Sequence, residues 1–93
     1  KLLVQANRNG FLYVLDRTTG EFLFADKFSD KVTWASSIGK DGRPVLVPGM
    51  KPDEDGKVVC PNVLGATNWP SMAVDPGGVL YLMSRDACGV YFK

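Results

Sequence analysis

The stretch "GFLYVLDRTTGEFLFADKF", residues 10–28, decides the fold. Its first part, residues 10–16, is a short run of aromatic and branched residues that stops at a turn signal, which is how a strand reads. "DRTTGE", residues 16–21, is the turn. Asp16 can accept bonds from backbone N–H groups further along, and Gly20 can take positive φ. Residues 21–28 then read as the returning strand of a hairpin. Simple alternation puts Glu21, Leu23 and Ala25 on one face and Phe22, Phe24 and Asp26 on the other.

The same pattern recurs further along. "SMAVD" (residues 71–75) and "GVLYLMS" (residues 78–84) form a second strand–turn–strand unit across "DPGG". "GFLYVL" at Gly10 is matched by "GVLYLM" at Gly78: a glycine, two apolar residues, a tyrosine and two more apolar residues. Repetition of short hairpins points to an all-β repeat architecture such as a β-propeller. No extended 3.6-residue pattern argues for a helix. "KVTWASSI" (residues 31–38) is a weaker strand, and "GVYFK" begins another. Between them, residues 39–61 are dense in Gly, Pro and charge, which predicts a long irregular excursion between blades. Blades are roughly four-stranded, so the chain holds about two of them, without ring closure. Both ends fall in sequence that reads as structured, so a piece of a larger propeller is expected.

Composition narrows the chemistry. The chain has 93 residues, 45% of them hydrophobic, and a net charge of +1 with acids and bases interspersed. Disorder is not expected, and there is no electrostatic case for nucleic acid or a membrane surface. No apolar run approaches the roughly 20 residues of a membrane span. The absence of histidine removes Ser-His and Cys-His nucleophile pairs and every His metal ligand. Cys60 and Cys88 alone cannot complete a structural zinc site. By count they fit free core thiols as well as one disulfide.

Each remaining motif has a plain structural reading beside a functional one. "DRTTGE" is explained in full as a hairpin turn and requires no chemistry of Asp16, Arg17 or Glu21. "DEDG" (residues 53–56) lacks the ligand spacing and distal glutamate of a calcium loop and reads as a solvated acidic turn. "NRNG" (residues 7–10) sets Arg8 just before a strand. An arginine there is commonly a surface residue, and its functional reading is a cation that polarises a carbonyl or holds a carboxylate. In "CPNVLGATNWPSM" (residues 60–72), Pro70 pushes Trp69 toward extended geometry. Trp69 reads equally as a core aromatic. Asn68 either satisfies turn backbone or faces a polar ligand.

Taken together, "RNGFLYVLDRTTGEFL", "VTWASSIGKDGRPV" and "VCPNVLGATNWPSMAVDPGGVLYL" resemble the quinoprotein alcohol dehydrogenases, over nearly the whole chain. The resemblance implies an eight-bladed β-propeller of tryptophan-docking repeats. Asp16, Thr19, Gly20 and Glu21 match that repeat signature, whereas Phe24 stands where the signature has tryptophan. It further implies pyrroloquinoline quinone on the propeller axis beside a calcium or lanthanide ion. Arg8 would be the basic residue at the reactive carbonyls of the quinone, Asn68 a second contact, and Trp69 the residue that marks the ethanol dehydrogenase branch. Asn68 and Trp69 would then face the axis. The same region carries a family disulfide that fits Cys60 and Cys88.

The resemblance implies a periplasmic enzyme that oxidises primary alcohols to aldehydes and passes electrons to a cytochrome c or a fused haem domain. The catalytic aspartate and the metal ligands would lie upstream, so no catalytic base and no metal ligand is expected within residues 1–93. Two rival readings share the repeat: a non-enzymatic propeller scaffold of the outer-membrane assembly type, and a membrane-bound quinoprotein sugar dehydrogenase.

Overall fold

The Asp16 turn forms as its sequence requires. Asp16 Oδ1 accepts from the Thr18 and Thr19 N–H groups at 2.7 and 3.2 Å. The Gly20 N–H donates to the Asp16 carbonyl at 2.8 Å, with Gly20 at φ 79°. The strands it joins belong to a computed structural model that describes residues 1–93 and contains strands and turns but no helix. These are β1 (Leu2–Ala6), β2 (Phe11–Asp16), β3 (Phe22–Lys27), β4 (Ala35–Ile38), β5 (Pro44–Leu46), β6 (Lys57–Val59), β7 (Ala73–Val74), β8 (Leu80–Tyr81) and β9 (Gly89–Tyr91). β1, β2 and β3 make a three-stranded antiparallel sheet; β4–β5, β6–β9 and β7–β8 are antiparallel pairs.

The expected alternation in β3 fails at one point. Val14 pairs with Phe24 but Leu15 pairs with Phe22, which leaves Leu23 as the extra residue of a β-bulge. A bulge shifts the side-chain period by one. Phe22 therefore joins Ala25, Tyr13 and Leu15 on one face and no longer shares a face with Phe24. Its ring meets Tyr13 edge-on, with centroids 6.4 Å apart.

Cross-strand partners share a face, so the register defines both sides of the sheet. One side carries Phe11 and Tyr13, which pack with Val32, Trp34, Ala35 and Ile38 into the small core. Phe11 is 1% exposed and meets Trp34 edge-to-face at 6.0 Å. The other side carries Leu2, Val4, Leu12, Val14 and Phe24. Only Val14 is buried there; Leu2 is 61% and Phe24 51% exposed. The radius of gyration is 14.6 Å, against about 12 Å for a compact domain of this length. The elongated shape, 48 × 27 × 18 Å along its principal axes, accounts for that excess.

The second hairpin repeats the chemistry of the first in shorter form. Gly78 takes φ 87° and its N–H donates to the Asp75 carbonyl at 3.0 Å. Asp75 Oδ1 accepts from the Val79 N–H at 2.9 Å, and Oδ2 accepts from the Tyr81 hydroxyl at 3.0 Å. Regular pairing is confined to Ala73–Val74 and Leu80–Tyr81, less than the sequence pattern of residues 71–84 suggests. A lone two-stranded ribbon holds few ladder bonds. Residues 39–61 include β5, which pairs with β4, and β6, which pairs with β9; the rest of that stretch is turn and irregular chain. Within it, residues 53–56 form a turn in which the Gly56 N–H donates to the Asp53 carbonyl at 3.2 Å.

Gly10 has φ 97° and its Cα faces Val32 so closely that an added Cβ would run into the Val32 Cγ2 methyl. Gly10→Ala in the full-length parent is expected to lower stability by about 2 kcal/mol or more, through backbone strain and overpacking together; urea unfolding measures it. Asp75 offers a pH test. Its carboxyl is held below the ordinary 3.8, chiefly by the Val79 N–H and also by the Tyr81 hydroxyl and the Gly77 and Gly78 N–H groups. These bonds favour the charged form, so their contribution is present above the ordinary value and is lost as pH falls through the depressed one. An NMR titration of the Val79 amide is expected to show a midpoint below 3.8; a midpoint above it would contradict the bonding described.

Candidate functional site

Arg8 stands in the turn between β1 and β2, where the Gly10 N–H donates to the Asn7 carbonyl at 3.1 Å. That turn is fastened to the core from behind. Asn9 Oδ1 accepts from the Phe11 N–H at 3.0 Å, Asn9 Nδ2 donates to the Tyr13 hydroxyl at 2.8 Å, and Trp34 Nε1 donates to the Asn9 carbonyl at 3.0 Å. The neighbours of Arg8 are thus fixed while its own side chain stays exposed.

The segment that reaches Arg8 comes from far along the chain. β6 and β9 pair Lys57 with Tyr91, Val58 with Val90 and Val59 with Gly89. One step further in the same register sets Cys60 opposite Cys88, and they are disulfide-bonded with Cα atoms 4.2 Å apart. The Cys60–Pro61 peptide is cis. Beyond the bridge, the Asn62 N–H donates to the Ala87 carbonyl at 2.8 Å. Residues 62–65 then close a turn: Gly65 N–H to Asn62 carbonyl at 2.8 Å, and Leu64 N–H to Asn62 Oδ1 at 3.1 Å. The "NVLG" order, with Asn first and Gly fourth, is a β-turn signature.

This turn docks on Arg8. The Ala66 N–H donates to the Arg8 carbonyl at 2.8 Å. Arg8 Nη2 donates to the Val63 carbonyl at 2.6 Å, and Asn68 Nδ2 donates to the next carbonyl, Leu64, at 3.0 Å. Arg8 and Asn68, 60 positions apart in sequence, are therefore held on adjacent carbonyls of a single turn. Two further bonds steady the turn from outside: Arg85 N–H to Ala66 carbonyl at 2.7 Å, and Ser29 Oγ to Asp86 Oδ1 at 2.6 Å. Ala66 and Thr67 are buried, whereas Asn68 is exposed and Trp69 is 88% exposed.

Electrostatically, Arg8 is a cation with no acid on it. The ion pair in the chain is Lys57 Nζ with Asp53 Oδ2, 3.2 Å apart. The Val63 carbonyl takes an Nη2 hydrogen bond, which leaves other guanidinium donors free for a ligand with accepting oxygens. On Asn68, the amide oxygen makes no bond within the chain. Arginine and amide donors stay protonated across the working pH range. These residues fit a ligand bearing ring carbonyls and carboxylates. Asp16, by contrast, spends its carboxylate on the hairpin turn. No group of three or more His, Cys, Asp or Glu stands together as a metal-ligating cluster. No helix is long and apolar enough to cross a membrane.

No protein-family model matches the chain. Among curated proteins it is 46% identical, over 98% of its length, to the quinohemoprotein alcohol dehydrogenase ADH IIB of Pseudomonas putida. It is 42% identical, over 92% of its length, to the quinoprotein alcohol dehydrogenase PedH of Pseudomonas putida. By sequence, this chain belongs to the quinoprotein alcohol dehydrogenase family. The solved structures agree. The quinohemoprotein alcohol dehydrogenase ADHIIG from Pseudomonas putida superposes with a TM-score of 0.87 at 32% identity, over 99% of this chain and 14% of its own. A europium-containing methanol dehydrogenase superposes with a TM-score of 0.79 at 37% identity, over 89% of this chain and 15% of its own. The chain spans 13% of ADH IIB and 16% of PedH, so it corresponds to a small part of a family β-propeller.

Sequence reading named Arg8, Asn68, Trp69 and the cysteines. It missed Val63 and Leu64, whose contribution is a carbonyl and so leaves no side-chain signal, and the Ser29–Asp86 bond, which joins residues 57 positions apart. The disulfide closes a loop of 28 residues' separation, worth roughly 3–4 kcal/mol in the chain-entropy model. Replacing both Cys60 and Cys88 by Ser in the full-length parent is expected to lower unfolding stability by about that amount, read by urea titration. Alkylation of the unreduced protein should leave both cysteines unlabelled.

Proposed function

We propose that this chain forms part of the cofactor site of a periplasmic alcohol dehydrogenase that uses pyrroloquinoline quinone. The observation that carries the reading is the seating of Arg8 and Asn68 on the adjacent carbonyls of Val63 and Leu64. It puts a permanent cation and an amide side by side, exposed and without a carboxylate partner. Trp69 follows directly and offers an uncovered indole face. In this reading, the surface carrying Asn68 and Trp69 turns toward the axis of the completed propeller.

Pyrroloquinoline quinone supplies, when bound, the two-electron oxidant that takes a primary alcohol to an aldehyde. The part of this chain is electrostatic and positional. Arg8 would hold the quinone through its free guanidinium N–H groups, supplying positive charge beside its carbonyl oxygens. Asn68 fixes orientation through its remaining N–H and its oxygen. The turn beneath them holds both without rearrangement when the ligand arrives. The proton-accepting carboxylate and the ligands of a calcium or lanthanide ion belong to other parts of the parent. One relative is named a lanthanide-dependent methanol dehydrogenase, which supports such an ion in the parent. The names "quinohemoprotein" and "methanol dehydrogenase [cytochrome c] subunit 1" among the relatives support electron delivery to haem or to cytochrome c. Residues 1–93 act here as a partial propeller domain completed by the remaining blades, with residues 39–61 as the connection between blades. The relatives' names favour alcohol oxidation over the scaffold and sugar-oxidase readings.

In the full-length enzyme, Arg8→Ala is expected to lower kcat by on the order of 100-fold, as loss of an electrostatic stabiliser does. Asn68→Ala should weaken quinone retention while the unfolding curve stays in place. Unchanged kcat in Arg8→Ala with bound quinone would remove Arg8 from the site.

A further inference from the structure

We propose that Gly65 is a positioning residue that sets the spacing of the Arg8 guanidinium and the Asn68 amide; this rests on the quinone-contact reading above. Glycines with positive φ occur at several turns of the chain, but they differ in what surrounds them. At Gly20 and Gly49 an added Cβ meets nothing within 4 Å. Those positions ask only for backbone freedom. At Gly65, φ is +83° and an added Cβ would sit 2.8 Å from Arg8 Cβ, 2.8 Å from the Thr67 carbonyl oxygen and 3.0 Å from the Arg8 carbonyl oxygen. Gly65 is therefore required twice, for its φ and for the closeness with which its backbone lies against Arg8.

The consequences run outward through the backbone. The φ of Gly65 and the ψ of Leu64 orient the peptide plane that contains the Leu64 carbonyl, the acceptor of Asn68 Nδ2 at 3.0 Å. The preceding carbonyl, Val63, accepts from Arg8 Nη2 at 2.6 Å. On the other side of Gly65, the Ala66 N–H holds the Arg8 carbonyl at 2.8 Å. Arg8 is gripped at its main chain and at the tip of its side chain by residues flanking one glycine. A methyl group at Gly65 would push the turn off Arg8 and release both grips together. Gly65 touches no ligand in this scheme; it acts through Arg8 and Asn68.

The test is quinone binding to the full-length apoenzyme at saturating calcium, followed by quenching of tryptophan fluorescence on titration with pyrroloquinoline quinone. Gly65→Ala is expected to raise the quinone Kd by about tenfold or more in the otherwise unaltered enzyme. In an Arg8→Ala, Asn68→Ala background the same change should be nearly silent, within about twofold, because the groups it positions are gone. A full effect persisting in that background, or no effect of Gly65→Ala in the unaltered enzyme, overturns the proposal and leaves the Arg8 and Asn68 assignment intact. If Arg8→Ala, Asn68→Ala itself leaves the Kd unchanged, the quinone-contact reading fails, and this inference with it. Should Gly65→Ala abolish cooperative unfolding, the cycle is run with Asn62→Ala, which removes the Leu64 N–H to Asn62 Oδ1 bond of the same turn. Asn62→Ser keeps a local acceptor and is expected to recover most of the loss; no recovery would overturn the proposal.

Discussion

The candidate site depends on the closure of residues 60–88 into a loop. β6 and β9 are separated by 29 residues of intervening chain, yet their register runs straight into the Cys60–Cys88 bridge. With the two ends of the loop fixed at one point, the Asn62–Gly65 turn leaves the ladder at a set angle and reaches Arg8. Few apolar side chains hold this turn: Val63 and Leu64 are both exposed. Backbone hydrogen bonds to Ala87, Arg85 and Arg8 hold it instead. A covalent tie matters most where the hydrophobic contribution is smallest.

What the turn delivers is a matter of register more than of strength. Once the dihedrals of the turn are set, its adjacent carbonyls stand in one fixed relation to each other. Side chains docked on them inherit that relation. Arg8 comes from the neighbouring hairpin and Asn68 from the turn's own continuation, so two separately folded segments are brought to a common template. The cation is also left unneutralised, although Asp16 ends β2, Asp26 lies on β3 and Asp30 follows it. Asp16 is consumed by its own turn. An arginine without a carboxylate partner keeps its charge and its remaining donors for oxygen acceptors.

Much of this was legible in the sequence because it is local. The Asp16–Gly20 and Asp75–Gly78 turns depend on an acid that caps nearby N–H groups and a glycine that accepts positive φ, and both show in the residue order. The all-β class followed from those hairpins. Two things stayed hidden for the same physical reason. The bulge at Leu23 moved Phe22 to the Tyr13 face, and a one-residue slip leaves no trace in a hydrophobic alternation that is apolar on both faces. The pairing of β6 with β9 involves "KVV" and "GVY", short runs whose partners lie far off and which no periodicity links. At the site, the side chains were readable and the carbonyls that hold them were not. The disulfide stood open on cysteine count alone and was suggested by family resemblance, because its geometry is a product of the non-local ladder.

The uncovered side of the β1–β2–β3 sheet has a consequence for inheritance. Leu2, Val4, Leu12 and Phe24 line it beside the buried Val14. Phe24 sits where the tryptophan-docking repeat it resembles has the larger indole ring. A surface of the parent laid over this face would fill the difference in volume. The identity of residue 24 would then be tied to positions outside these 93 residues. Among relatives, the two should change together, so that a tryptophan restored here is accompanied by a smaller residue opposite.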